Sequence, residues 1–217
     1  IGTGDWSSDV CSSDLVKRKT QAERTDLSDR LMRDAAIDLI VAQGTSATTL
    51  KEVGEKAGYS RGLAGYRFGS KDALFSFIVR SLGEDWLHKL TTVTTGKVGY
   101  QAISAATDEH FRFCAENPTH VRAFYLLWFE AIAPHSQSKA MINHIHDRRF
   151  RDVVSWIEAA GDAPDKENTA AIARQFCASI IGIVYYWLSN PADLEATETL
   201  HAELKHTMRL LLAPKEL

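Results

Sequence analysis

Three shortages narrow the possibilities before any motif is read. The 217 residues include only three cysteines and five prolines. Cys11 lies in an atypical N-terminal tail, and Cys114 and Cys177 are far apart on apolar helical faces. Two distant thiols do not make a disulfide framework, so free cysteines in a reducing cytoplasm are expected. So few prolines, with no run of alternating β-branched residues, argue for helices over strands. No apolar run reads as long enough to span a bilayer, since residues 180–188 are too few and are closed by Ser189, Asn190 and Pro191. A glycine-rich phosphate loop, a nucleophile elbow and an HExxH helix are all missing, so neither an enzyme nor a cofactor is expected.

What is present suits a helical protein with a substantial core. Hydrophobic residues make up 45% of the chain, and its length fits one large or two small domains. The net charge of −3 argues against nonspecific nucleic-acid binding, but its distribution is uneven. Residues 16–71 hold eleven Lys/Arg against seven Asp/Glu, whereas residues 72–217 hold fourteen against eighteen. A local basic excess in an otherwise acidic chain is the footprint of a segment that meets nucleic acid.

That basic region contains the most informative segment, residues 48–75. Thr49 is placed to cap a helix, with Glu52 at capping-box spacing. Leu50, Val53 and Ala57 share one face at helical spacing, and Gly58 follows where a left-handed residue would end the helix. Ser60 can cap a second helix whose buried side is Leu63, Tyr66 and Phe68. This second helix carries Arg61 and Arg67, and Lys71 follows it. Helix, tight turn and basic second helix form the layout of a helix-turn-helix, whose second helix lies in the DNA major groove.

The run Thr49, Ala57-Gly58, Ser60-Arg61-Gly62, Tyr66, Phe68, Ser70-Lys71, Leu74-Phe75 resembles the DNA-binding domain of TetR-type transcriptional regulators. Residues 30–44 resemble that family's opening helix, which ends on a glycine. The likeness covers about residues 25–80; the remainder shares only a general all-helical layout. It implies an all-α fold with a three-helix helix-turn-helix DNA-binding domain at residues 16–75. A helical ligand-binding and dimerisation domain would occupy residues 76–217.

The resemblance also implies roles on DNA. It puts Thr49, Tyr66 and Lys71 at phosphate-contacting positions, where a hydroxyl, a phenol and an ammonium can each hold an oxygen. Tyr66 fits a core aromatic as well. Arg61 stands near the start of the recognition helix and fits either a guanine edge or a phosphate. Gly62 would allow close approach to the backbone. The chain departs from the family pattern at Gly65, which removes one DNA contact, and at Arg67, which could restore a phosphate contact.

Elsewhere the residues suggest long helices at about 71–92, 100–116, 118–132, 138–160, 164–188 and 191–212, with proline near starts and glycine after ends. Phe176, Ile180, Ile183 and Trp187 on one helix, and Leu194, Leu204, Met208 and Leu211 on the last, repeat at spacings of three and four. Those stripes fit a homodimer interface, as in the resembled family, or an internal core. Phe111, Tyr125, Trp128, Phe129, Trp156 and Tyr186 are candidates to line an effector pocket, with His110, Glu130 or His144 as polar help, or else simple core. Glu130 beside tryptophans suggests a cationic ligand.

Residues 5–15 are similar to the translation of a common sequencing-library adaptor. Residues 1–15 are therefore expected to be a non-native, disordered tail without function. His135, His144, His146 and Asp147 raise a metal sensor, but residues two apart on a helix point about 200° apart and cannot share one ion. The expected function is a cytoplasmic, dimeric repressor without a membrane segment, released from a palindromic DNA operator by a small-molecule effector. The alternatives are an activator or a metal-responsive regulator of the same fold.

Overall fold

A computed structural model describes residues 20–133, 136–161 and 164–212, and all regular structure among them is helical. The expectations for residues 1–15 and for His135 fall outside the described residues. The first helix, α1 (Gln21–Ala47), begins well before the expected Arg30. Thr20 and Glu23 cap it reciprocally, with the Thr20 N–H donating to the Glu23 carboxylate at 2.6 Å. Its first turn is exposed, so the cap rather than burial holds it there. Gly44, at φ 83°, breaks the helix where the sequence placed its end.

Two short helices follow, α2 (Leu50–Lys56) and α3 (Leu63–Phe68), and then the 24-residue α4 (Lys71–Thr94). At the usual helical rise α4 is about 36 Å long. The remaining helices are α5 (Gly99–Glu116), α6 (Pro118–Glu130), α7 (Lys139–Glu158), α8 (Lys166–Ser189) and α9 (Leu194–Leu211). Pro118 takes the first position of α6, and the Asp165 and Asp193 carboxylates cap α8 and α9.

Met32, Ala36, Ile37 and Ile40 of α1 bury against Val53, Ala64, Leu74 and Ile78. The same core continues along α4 through Trp86 and Leu90 to Cys114, Phe124, Tyr125 and Trp128. Helix α4 thus joins the helix-turn-helix to the C-terminal bundle through one continuous apolar spine. Gly83, midway along it, permits close passage of α7, because a Cβ there would collide with Ile145. A second cluster holds α5, α7, α8 and α9 together through Ile103, Val153, Ile157, Phe176, Ile180 and Met208.

Two sequence expectations change here. Phe176, Ile180, Ile183, Trp187, Leu204 and Met208 are internal, none more than 6% exposed. Their spacing of three and four serves packing between helices of the same chain, which needs the same stripe as a dimer seam. Leu194 and Leu211 remain at the surface. The membrane criterion changes as well, since α8 is long and apolar enough to cross a bilayer by length and composition. Its inner face is buried core, while its outer face exposes Ala171, Ala178, Gly182 and Tyr185.

Candidate functional site

The helix-turn-helix is built from local signals. The Glu52 N–H donates to the Thr49 hydroxyl at 3.2 Å, and the Thr49 N–H donates to the Glu52 carboxylate at 3.1 Å. The Thr49 hydroxyl also donates to that carboxylate, which holds the Glu52 pKa below its ordinary value. At the other end of α2 the Tyr59 N–H donates to the Gly54 carbonyl at 2.9 Å and the Gly58 N–H to the Glu55 carbonyl at 3.0 Å. With Gly58 at φ 79°, this is a Schellman turn. Gly54, overlooked in the sequence, is required for it: a Cβ there would lie 2.8 Å from the Ser60 carbonyl oxygen.

The second helix of the motif, α3, starts later than expected. Ser60 does not cap it with its side chain; the Leu63 N–H donates to the Ser60 carbonyl, and Gly62 is the N-cap residue. Ala64 is its fully buried anchor, with Leu63 and Phe68 half-buried beside it. Its outer face carries Tyr66, which at 90% exposed has no core role. Arg61, in the turn before α3, is exposed and paired with Glu55. Neither Gly62 nor Gly65 has any atom near the place of a Cβ.

Two of the candidate DNA-binding cations are held by α1. The Arg67 guanidinium donates to both Asp29 oxygens, at 2.7 Å and 2.5 Å, a bidentate pair that ties α3 to α1. The sequence offered Arg67 for a phosphate, but its side chain is already committed to this carboxylate. Lys71 donates to the carbonyls of Thr45 and Ser46 at 3.2 Å each, fastening the start of α4 to the end of α1. Thr49, Ser60, Arg61, Gly62, Tyr66 and Arg67 all lie on the exposed surface of this three-helix unit, with Lys71 half-buried at its edge.

The C-terminal bundle contains an unusual polar interior. Tyr125, His110 and His201 form a buried chain, with Tyr125 Oη 3.2 Å from His110 Nε2 and His110 Nδ1 2.8 Å from His201 Nε2. His201 Nδ1 lies 2.7 Å from the Thr197 carbonyl, which can only accept. Burial, and then the charges of its neighbours, hold His110 well below the usual imidazole range; burial lowers His201 too. Both rings are therefore neutral, and the proton positions follow. His201 Nδ1–H donates to Thr197, His110 Nδ1–H donates to His201, and the Tyr125 hydroxyl donates to His110.

Beside this chain lies a partly open void of about 10 Å³, at the threshold for a single water. Trp86, His110, Arg149, Trp156, Phe176 and Ile180 are among its walls. Arg149 is only 4% exposed.

Of the aromatic residues proposed from sequence for a pocket, only Trp156 lines this void. Tyr125 and Trp128 are packed core, Phe111 rests against His201, and Phe129 packs on the core flank. Tyr186 is 47% exposed and borders a groove between α8 and α9. Arg149 and Trp86 carry no sequence signal beyond a helical period, and Phe176 and Ile180 belong to the stripe that fits either a dimer interface or an internal core. Glu130 lines a separate surface recess near the start of α4. His144 and His146 are exposed on α7. The two described cysteines are free and buried, and burial pushes the Cys114 thiol up to about 12.

Known proteins share this architecture. Residues 33–77 match the bacterial regulatory proteins of the tetR family. The HTH-type transcriptional regulator BetI of Rhizobium meliloti (strain 1021) is 30% identical over 174 residues, covering 77% of this chain and 82% of that protein. A transcriptional regulator from Rhodococcus sp. Rha1 superposes with a TM-score of 0.72 at 21% identity, covering 85% of this chain and 96% of its own. FadR from Bacillus subtilis, solved in complex with stearoyl-CoA, gives 0.69 at 14% identity, with 86% and 99% covered. The profile match falls on the helix-turn-helix, and the likeness to BetI runs on through most of the bundle. The chain belongs to the TetR family of DNA-binding transcriptional regulators.

Proposed function

We propose that the protein is a homodimeric repressor, released from a palindromic operator by a small-molecule effector that enters the C-terminal bundle. Residues 16–75 form the DNA-binding domain and residues 76–217 the effector and dimerisation domain. The observation that carries this reading is the path of α4. Its first turn, at Ser70 and Lys71, directly follows the recognition helix and is bonded to α1. Its later residues Trp86 and Leu90 wall the buried void. An effector that moves these walls moves the same helix that seats the DNA-reading unit. It weakens DNA binding only by the margin with which it prefers the non-binding state.

On DNA, Tyr66, Thr49 and Lys71 hold phosphates and Arg61 reaches a base edge or phosphate as the Glu55 pair opens. Ser60 and Gly62 bring the turn backbone close to the strand. Arg67 acts through Asp29 by fixing the pose of α3. The dimer forms through the outer faces of α8 and α9. A helix as apolar as α8 requires cover on both sides, and its exposed Ala178, Gly182 and Tyr185 meet a second copy together with Leu194, Leu210 and Leu211 of α9. The protein works in the cytoplasm without a membrane segment or cofactor. The relatives are transcriptional regulators, and a regulatory rather than catalytic role follows from that likeness.

Fluorescence anisotropy tests the DNA half of this reading. Protein starting at Val16 is titrated into duplex DNA from its own upstream intergenic region and into random duplex at two salt concentrations. Tight, salt-sensitive binding to the former, lost in an Arg61→Ala, Lys71→Ala double variant, is expected. Equal affinity for both duplexes refutes autoregulatory operator recognition.

A further inference from the structure

We infer that the effector is an organic anion, a carboxylate on an apolar body, and that Arg149 is its charge partner. This rests on the proposed effector site and names the chemistry that site accepts. Arg149 is 4% exposed, and neither of its terminal nitrogens has a hydrogen-bond partner among the described residues. The Nε1 of Trp86, also buried, is likewise without an acceptor. Both side chains wall the same void. The two residues that bear these three orphaned nitrogens, all of them donors, therefore meet at one void.

Arg149 forms no ion pair among the described residues. The Arg149 guanidinium sits 5.7 Å from the Trp128 ring centroid, and its charge reaches Tyr125, Cys177 and the neutral His110. The Tyr125 phenol approaches the guanidinium closely enough for a weak side-chain interaction but without full hydrogen-bond geometry, and being neutral it supplies no counter-charge. Three acids on α5 and α7 pair with other cations: Glu109 with Arg112, Asp152 with Arg148, and Asp108 with Lys205. A buried cation without an acceptor is costly, and its desolvation has already occurred on folding. An incoming carboxylate gains a charge-assisted, potentially bidentate partner without removing water from the arginine. A cation gains nothing here, which reverses the sequence hint drawn from Glu130.

A route exists. Trp156 is a wall of the void and also of a surface recess of about 210 Å³ bounded by Thr91, Thr94, Thr95, Arg148 and Asp152. Rotation of this half-buried indole joins the two. The apolar body of the ligand then lies in the larger recess beside Thr91 and Thr94 of α4, and its carboxylate reaches the void walled by Arg149 and Trp86.

Phenylacetate, phenylacetamide and phenethylammonium share a body and differ in charge. Each is titrated into the full-length protein with tryptophan fluorescence and the thermal midpoint as readouts. Phenylacetate is expected to bind roughly tenfold or more tightly than the amide, the margin of a charge-assisted hydrogen bond. Arg149→Met is expected to lose that preference while melting no lower than wild type, because an unpaired buried charge is gone. Arg149→Lys is expected to keep part of it. Preference for the amide or amine overturns the anion assignment and leaves an effector site in place. A carboxylate preference that survives in Arg149→Met also overturns it. Failure of all three probes to bind, with Arg149→Met strongly destabilised, makes Arg149 a structural residue and overturns the assignment. Binding of phenylacetate without change in DNA affinity defeats the coupling scheme but not the anion site.

Discussion

Acid should destabilise this protein well above the pH at which carboxylates titrate. His110 is buried, neutral and committed as both donor and acceptor. Burial, the His201 ring and the Arg149 charge all oppose its protonation. Its folded pKa is lowered, so the unfolded chain takes up a proton that the native chain refuses. Stability is thus full above the unfolded pKa of about 6.5 and falls as pH drops below it. For one histidine kept neutral in the native state, the loss between pH 7.5 and pH 5 is about 2 kcal/mol. His201, also lowered by burial, adds a second contribution of at most the same size. The assay is urea unfolding followed by tryptophan fluorescence at fixed protein concentration across that range. The unfolding free energy is expected to drop by about 2 to 4 kcal/mol, and a His110→Gln, His201→Gln double variant should flatten the profile. A wild-type profile that is level or rises toward pH 5 refutes the reasoning.

Three substitutions probe the DNA-reading unit and the proposed dimer. Gly65→Ala, in open space, should stabilise the protein by about 1 kcal/mol in thermal unfolding; weakened DNA binding in the same variant would show that the α3 backbone approaches the DNA there. Asp29→Asn breaks the partly exposed pair with Arg67 and should cost no more than about 1 kcal/mol. Its anisotropy titration should nevertheless show weaker DNA binding, because the short α3 loses its tether; tighter binding would instead assign Arg67 to a phosphate. Gly182→Arg adds bulk to the outer face of α8, where, its own helix backbone apart, no atom of the described residues stands within 4 Å of the added Cβ. Light scattering should then report a monomer with native helicity, and an unchanged dimer would remove that face from the interface.

The DNA-reading unit was legible because its determinants are local. The Thr49–Glu52 box and the left-handed Gly58 each depend on residues within a few positions, and both stand where their spacing placed them. Gly54 escaped notice because its need comes from a carbonyl that only the folded turn brings near. Ser60 looked like a cap, yet the chain enters α3 at Gly62 and uses the Ser60 carbonyl instead. The stripes on α8 and α9 were ambiguous for a physical reason. Burial against a partner and burial against the chain's own helices impose the same period, and only the packed bundle separates them. The void was least legible of all. His110 and His201 are 91 positions apart, and an arginine on a helix gives no local sign that its head will be buried without a partner.

The account's central claim is that two copies of this chain read the two halves of an inverted repeat. Selection of bound sequences from a random duplex library by the purified protein tests it most directly. The expected product is a palindrome with half-site centres one helical turn, about 34 Å, or a multiple of it apart. Enrichment of a single asymmetric site, or of no sequence at all, would contradict it.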